Sequence, residues 1–111
     1  MWLFTNIGFF SAVQKPGDKH LTVRARAAAD LDRLREQFMP ELSPTKAKGG
    51  HDYPFRATIS HEAFSNGLAK LGAAINYSNF KNEVAAKMGR RRAHTYSNVW
   101  STLLEIERET P

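Results

Sequence analysis

The sequence predicts an α+β fold: a small antiparallel sheet of three or four strands, helices on one face of it, and further helices at the C-terminal end. Three observations predict this. The segments Leu21–Ala27 and Phe55–Ser60 alternate apolar and polar residues with a period of two. Apolar residues from Phe64 to Ile75, and again from Ala93 to Ile106, recur at helical spacing. The strand-like segments also precede most of the helical ones, an order that suits helices laid on a sheet.

Taken in order, Trp2–Ile7 and Phe9–Gln14 are rich in aromatic and β-branched residues and read as two strands, with Asn6-Ile7-Gly8 as a turn or bulge between them. Lys15-Pro16-Gly17-Asp18 is a turn, because proline presets φ and glycine permits positive φ. Leu21, Val23, Ala25 and Ala27 then alternate with Thr22, Arg24 and Arg26, so the third strand is half-buried and carries both arginines on its other face. Asp30 serves as the N-cap or first-turn acid of a helix bearing Leu31, Leu34 and Phe38, which Pro40 closes. The polar run Glu41–Asp52 is expected to be an exposed, mobile loop. Phe55, Ala57 and Ile59 mark the fourth strand, and Ser60 caps a helix with Phe64, Leu68, Leu71 and Ile75 on one stripe. A short helix with Phe80, Val84 and Met88 on one face ends at Gly89. The last helix, about Arg91 to Glu107, carries Ala93, Tyr96, Val99, Trp100, Leu103 and Ile106. The stretch Leu21–Ile75 is thus a β-α-β-α run of ferredoxin-like or related type, which the leading hairpin extends.

The 111 residues fit one domain, 1–111, and are 41% apolar and 24% charged, values typical of folded chains. Twelve aromatic residues supply a core without staples. There is no cysteine, which excludes disulfides, thiolate metal sites and cysteine nucleophiles, and fits a reducing, cytoplasmic setting. The opening segment lacks a basic start and falls short of the roughly 18 apolar residues a membrane span needs, so no membrane partner is expected. The net charge of +5 favours anionic partners.

Several blocks carry a resemblance: Met1-Trp2-Leu3-Phe4-Thr5 with Gly8-Phe9-Phe10-Ser11, Leu21–Arg26, Asp52–Ala57, Asn76–Lys81, and Tyr96 with Val99-Trp100. Together, across essentially the whole chain, they resemble a widespread family of short bacterial proteins of unknown function. The resemblance implies a bacterial cytosolic protein, a domain complete in itself, and no transferable catalytic residue, cofactor or partner.

Two groups of cations are candidate binding residues. Lys81–His94 holds Lys81, Lys87, Arg90, Arg91 and Arg92 against Glu83 alone, whereas Glu105–Glu109 is net −2. Cations at a helix start and anions at its end both oppose the macrodipole, which marks an anion site unless the arginines lie in the connection, solvated or paired with acids. Arg24, Arg26 and Arg56 share one sheet face if their strands are neighbours. There they could hold a nucleic-acid backbone while an aromatic such as Tyr53 stacks on bases; salt bridges to helix carboxylates, or edge protection, are the plain alternatives.

Ser60, His61 and Glu62 form a triad in letters only, since capping accounts for Ser60. His20, His51 and His94 lack ligand spacing, so neither a metal nor any other cofactor is expected. Asn79, Lys81, Tyr77 and Tyr96 are the residues from which a polar pocket would be built. The function expected is a non-enzymatic basic module that engages nucleic acid or a nucleoprotein through Arg24, Arg26, Arg56, Lys87, Arg90, Arg91 and Arg92 as phosphate contacts. The alternatives are a protein–protein interaction module and a small phosphoryl-transfer or nuclease-type enzyme using His61 or His94.

Overall fold

A computed structural model of the chain describes residues 1–109. It comprises two compact units, Met1–Asn76 and a second that begins at Tyr77.

The first unit holds β1 (Trp2–Thr5), β2 (Gly8–Val13), β3 (Leu21–Ala25), α1 (Ala28–Gln37), β4 (Lys46–Ala47), β5 (Phe55–Ile59) and α2 (His61–Ala73). All its strands join one antiparallel sheet in the order β1-β2-β3-β5-β4. The fold is α+β as expected, but the sheet has five strands rather than three or four. The additional one is β4, inside the stretch expected to be an exposed loop. Its two residues pair with Arg56 and Phe55. The same stretch also sends Leu42 into the core. The sheet also lacks a split β-α-β: β3 and β5, either side of α1, are direct antiparallel neighbours, whereas a ferredoxin-like arrangement sets another strand between them.

Local chemistry explains these elements. At the β1–β2 turn the Thr5 hydroxyl donates to the Gly8 carbonyl at 2.7 Å and accepts from the Gly8 and Ile7 N–H groups. Gly17 has φ 83°, and Asp18 N–H donates to the Lys15 carbonyl, which closes the expected turn. Asp30 lies in the first turn of α1, where its charge suits the dipole, and the N-cap is Ala27 without a side-chain bond. Ser60 caps α2 by accepting from Ala63 N–H at 3.1 Å.

One sheet face is apolar. Phe10, Ala12, Val23, Ala25, Ala57 and Ile59 join Leu31 and Leu34 of α1 and Phe64 of α2 in a single buried cluster, together with Met39 and Leu42. Gly67 of α2 lies so close to Met39 that a Cβ there would overlap its side chain. Leu68 and Leu71 pack on this cluster as their spacing requires, whereas Ile75 is exposed because α2 stops at Ala73.

In the second unit α3 (Phe80–Met88) and α4 (Arg90–Leu103) form a hairpin, followed by a 3₁₀ segment, Leu104–Arg108. Asn79 caps α3 through Asn82 N–H, and Gly89 at φ 96° both ends α3 and precedes α4. Val84 and Tyr96 are buried, and the Phe80 and Tyr96 rings stack at 5.8 Å. The long apolar stripe expected along the last helix is only partly used. Trp100, Leu103 and Ile106 are each more than half exposed, for two short helices bury only the seam between them. Among the described residues no helix is long and apolar enough to cross a membrane.

Candidate nucleic-acid interface

The face of the sheet opposite the core is set by strand parity. Successive residues of a strand point to opposite faces, and directly paired residues point to the same one. With Val23 and Ala57 in the core, their neighbours Arg24 and Arg56 take the other face, and the two are direct partners across β3 and β5. The same row continues through every strand. Trp2 pairs with Ser11, Ser11 with Arg24, Arg24 with Arg56, and Arg56 with Lys46. One turn of the pleat away, Phe4 pairs with Phe9 on the same face as Trp2 and Ser11.

These side chains touch. Phe9 stacks on Phe4 at 4.5 Å, meets Trp2 edge-on at 5.9 Å and lies 6.4 Å from Tyr53. The guanidinium carbons of Arg24 and Arg26 lie 4.6 Å and 4.9 Å from the centre of the Tyr53 ring, within cation–π range. Arg24 Nη2 also donates to the buried Ser11 hydroxyl at 2.7 Å, and Arg56 Nε donates to the Tyr53 carbonyl at 3.2 Å. Tyr53 is therefore a buried anchor for the arginines and is not available to stack on a base, contrary to its expected role. The exposed ring on this face is Trp2.

The electrostatics of the row are unusual. Like charges directly opposite one another in a sheet are destabilising. Here Arg24 faces Arg56 and Arg56 faces Lys46. Among the described residues no carboxylate forms a salt bridge with Arg24, Arg26, Arg56 or Lys46; of the three acids of α1, Asp30 pairs with Arg33 and Asp32 with Arg35. Salt bridging to helix carboxylates therefore does not account for the arginines. Edge protection fits Lys46 alone, since β3 and β5 are interior strands. The buried Nε of Arg24 has no hydrogen-bond partner among the described residues. Its guanidinium is held by the Tyr53 ring and Ser11, at the expense of one unsatisfied donor.

The second cationic group belongs to the other unit. Arg90, Arg91 and Arg92 occupy the first turn of α4 rather than a connection, which is Gly89 alone. Lys87 lies in the last turn of α3, where a cation is favourable. The C-terminal end of α3 adjoins the start of α4, so the negative pole of one helix offsets the positive pole of the other, and the triplet is less unfavourable than its helix position alone implies. Arg92 lies 6.0 Å from the Tyr96 ring and has a further partner. Of the residues expected to build a polar pocket, Asn79 caps α3 through its Oδ1, Tyr96 is buried, and Lys81 sits 4.6 Å from the Trp100 ring.

His61 shares a 3.0 Å hydrogen bond with the Gln14 side chain, and Ser60 is committed to its cap. No cluster of three His, Cys, Asp or Glu residues is gathered among the described residues. Sequence reasoning found Arg24, Arg26 and Arg56 but missed Trp2, Phe4, Phe9, Ser11 and Lys46. For the first four the signal was present, as Trp2/Phe4 and Phe9/Ser11 alternate with Leu3 and with Phe10/Ala12; what was lacking was the register that aligns them. Compared with known proteins, the chain matches no family model, no curated protein and no solved structure.

Proposed function

We propose that the chain is a non-enzymatic nucleic-acid-binding module, and that the face bearing Arg24, Arg26, Arg56 and Lys46 is its phosphate-binding surface. The observation that carries this is the row of cations, opposed to one another without a paired carboxylate among the described residues and bordered by aromatic rings. Like charges kept together on one sheet face gain a counter-charge when a polyanion binds, which removes the repulsion of the whole row at once. Lys87, Arg90, Arg91 and Arg92 give the second unit a positive field of its own, which attracts anionic ligands. The resemblance to short bacterial proteins supports a bacterial, cytosolic setting.

The test is fluorescence anisotropy with labelled oligonucleotides over a range of salt. Affinity should fall linearly in log–log form, and each phosphate-contacting cation replaced by alanine should lower the slope by about one. Replacing Arg26, Arg56 and Lys46 together should weaken binding by tenfold or more, on the order of the loss of three such contacts. Binding that ignores salt, or survives the triple substitution, would overturn the proposal.

A second reading, recognition of another protein, draws on the exposed Trp2 at the β1 edge and on the exposed Trp100, Leu103, Leu104 and Ile106. A partner that stays bound in nuclease-treated lysate, with no affinity for oligonucleotides, would favour it.

A further inference from the structure

We infer that the ligand of this face is single-stranded, with a base stacked on Trp2 and phosphates further along the strand on Arg56, Lys46 and Arg26. This rests on the nucleic-acid reading above and deepens it. A duplex hides the faces of its bases within its stack, so a protein reaches base edges only by inserting a helix, ribbon or arm into a groove. The aromatic row here belongs to a sheet face, and a sheet face meets a flat partner. Single strands have unstacked bases, and every base offers a π-face, which suits an aromatic platform flanked by cations.

The layout divides the two tasks. At the β1–β2 end lie Trp2, Phe4 and Phe9; Phe9 stacks on Phe4 and meets Trp2 edge-on, so Trp2 is braced by Phe9 while remaining 66% exposed. A buried ring such as Tyr53 offers no base a landing surface; Trp2 does. At the β5–β4 end lie Arg56 and Lys46, with Arg26 exposed just past the end of β3. Trp2 and Lys46 are four inter-strand steps apart in the row, on the order of 19 Å at the usual strand spacing. Only a ligand extended across the strands reaches from one end to the other. Arg24, pinned by Tyr53 and Ser11 with its Nε buried, acts as a positioning residue that holds the ring and keeps the centre of the row positive.

The experiment uses the full chain with Trp100→Phe, which leaves Trp2 as the one tryptophan. Oligomers of about twelve nucleotides, within the usual footprint of such surfaces, are titrated as oligo-U, oligo-dT and a mixed-sequence strand alone and annealed to its complement. Either single strand should quench Trp2 fluorescence, and the mixed-sequence strand should bind more tightly than its duplex at equal ionic strength. Trp2→Ala should lower single-strand affinity by about five- to a hundredfold, the range for one stacked base, and Trp2→Phe should restore most of it. Comparing oligo-U with oligo-dT separates RNA from DNA as the source of the strand. Duplex bound as tightly as single strand, or an unquenched Trp2 with Trp2→Ala neutral, overturns the inference and leaves the nucleic-acid reading standing. Absence of binding to every oligomer at low salt overturns both.

Discussion

Asp30 links the fold to the proposed interface at the scale of single residues. It is 2% exposed, accepts the Phe9 N–H on Oδ2 at 3.0 Å, and pairs with Arg33 through Oδ1. Arg33 in turn donates Nε to the Ile7 carbonyl at 2.8 Å, so one carboxylate fastens the β1–β2 turn to α1 from two sides. Gly8 completes the contact, since a Cβ added there would stand 2.6 Å from the Asp30 Cβ. Asp30→Ala is therefore expected to destabilise the protein by about 2–4 kcal/mol, because a buried N–H is left unsatisfied and Arg33 loses its counter-ion. Gly8→Ala is expected to cost about 1–3 kcal/mol through overpacking against a helix whose backbone cannot retreat. Urea unfolding measures both, and a loss below 0.5 kcal/mol for either would show that the turn relaxes freely. The sequence marked Asp30 only as a helix-start acid. Its bond to Phe9, which seats that ring in the aromatic row, spans 21 residues and has no local signature.

The elements differ in how far local sequence determined them. The alternation in Leu21–Ala25 and Phe55–Ile59 reports a half-buried sheet directly, and the side chains that violate hydrophobicity there are the arginines of the proposed site. Ser60 and Gly89 were equally legible, as a cap and a helix stop depend on one residue each. The short strand β4 was not. Two residues have no period, and what organises them is non-local: Ser43 N–H donates to the Thr58 carbonyl, Thr58 N–H donates to the Ser43 hydroxyl, and Lys48 N–H donates to the Pro54 carbonyl. Arg35 supplies the rest. Its guanidinium reaches the Leu42 and Ser43 carbonyls, the Thr45 hydroxyl and Asp32, using the fork geometry that lysine lacks. Arg35→Ala is expected to lose about 1–3 kcal/mol by leaving carbonyls unpaired, and Arg35→Lys to recover little of it. Faster amide exchange at Ser43 and Lys48 should accompany the loss. Exchange unchanged in both variants would mean that β4 is held by its pairing with β5 alone. Because Lys46 sits on β4, the same variant should also weaken oligonucleotide binding.

Across the whole molecule, positive charge is distributed over both units. The segment 1–76 carries ten lysines and arginines against seven acids, and the remainder carries six against four. The two groups of arginines have different physical settings, so kinetics separates their roles. Arg26 and Arg56, held beside the buried Tyr53, would make short-range contacts that a bound ligand must break to leave. Arg90 and Arg91 stand exposed at a helix start and act mainly through a field that salt screens beyond about 8–10 Å. Charges of the first kind alter dissociation, and charges of the second kind alter encounter. Arg90→Ala with Arg91→Ala is expected to slow association several-fold, about as far as removing two steering charges allows, with dissociation unchanged and the difference vanishing at high salt. The change also relieves the unfavourable dipole interaction, so the melting temperature should hold or rise slightly. Arg26→Ala with Arg56→Ala is expected to raise the dissociation rate instead, at every salt concentration. Stopped-flow anisotropy with one oligonucleotide resolves the two rates. If the Arg90/Arg91 variant dissociates as fast as the sheet-face variant, the helix start is itself a contact surface.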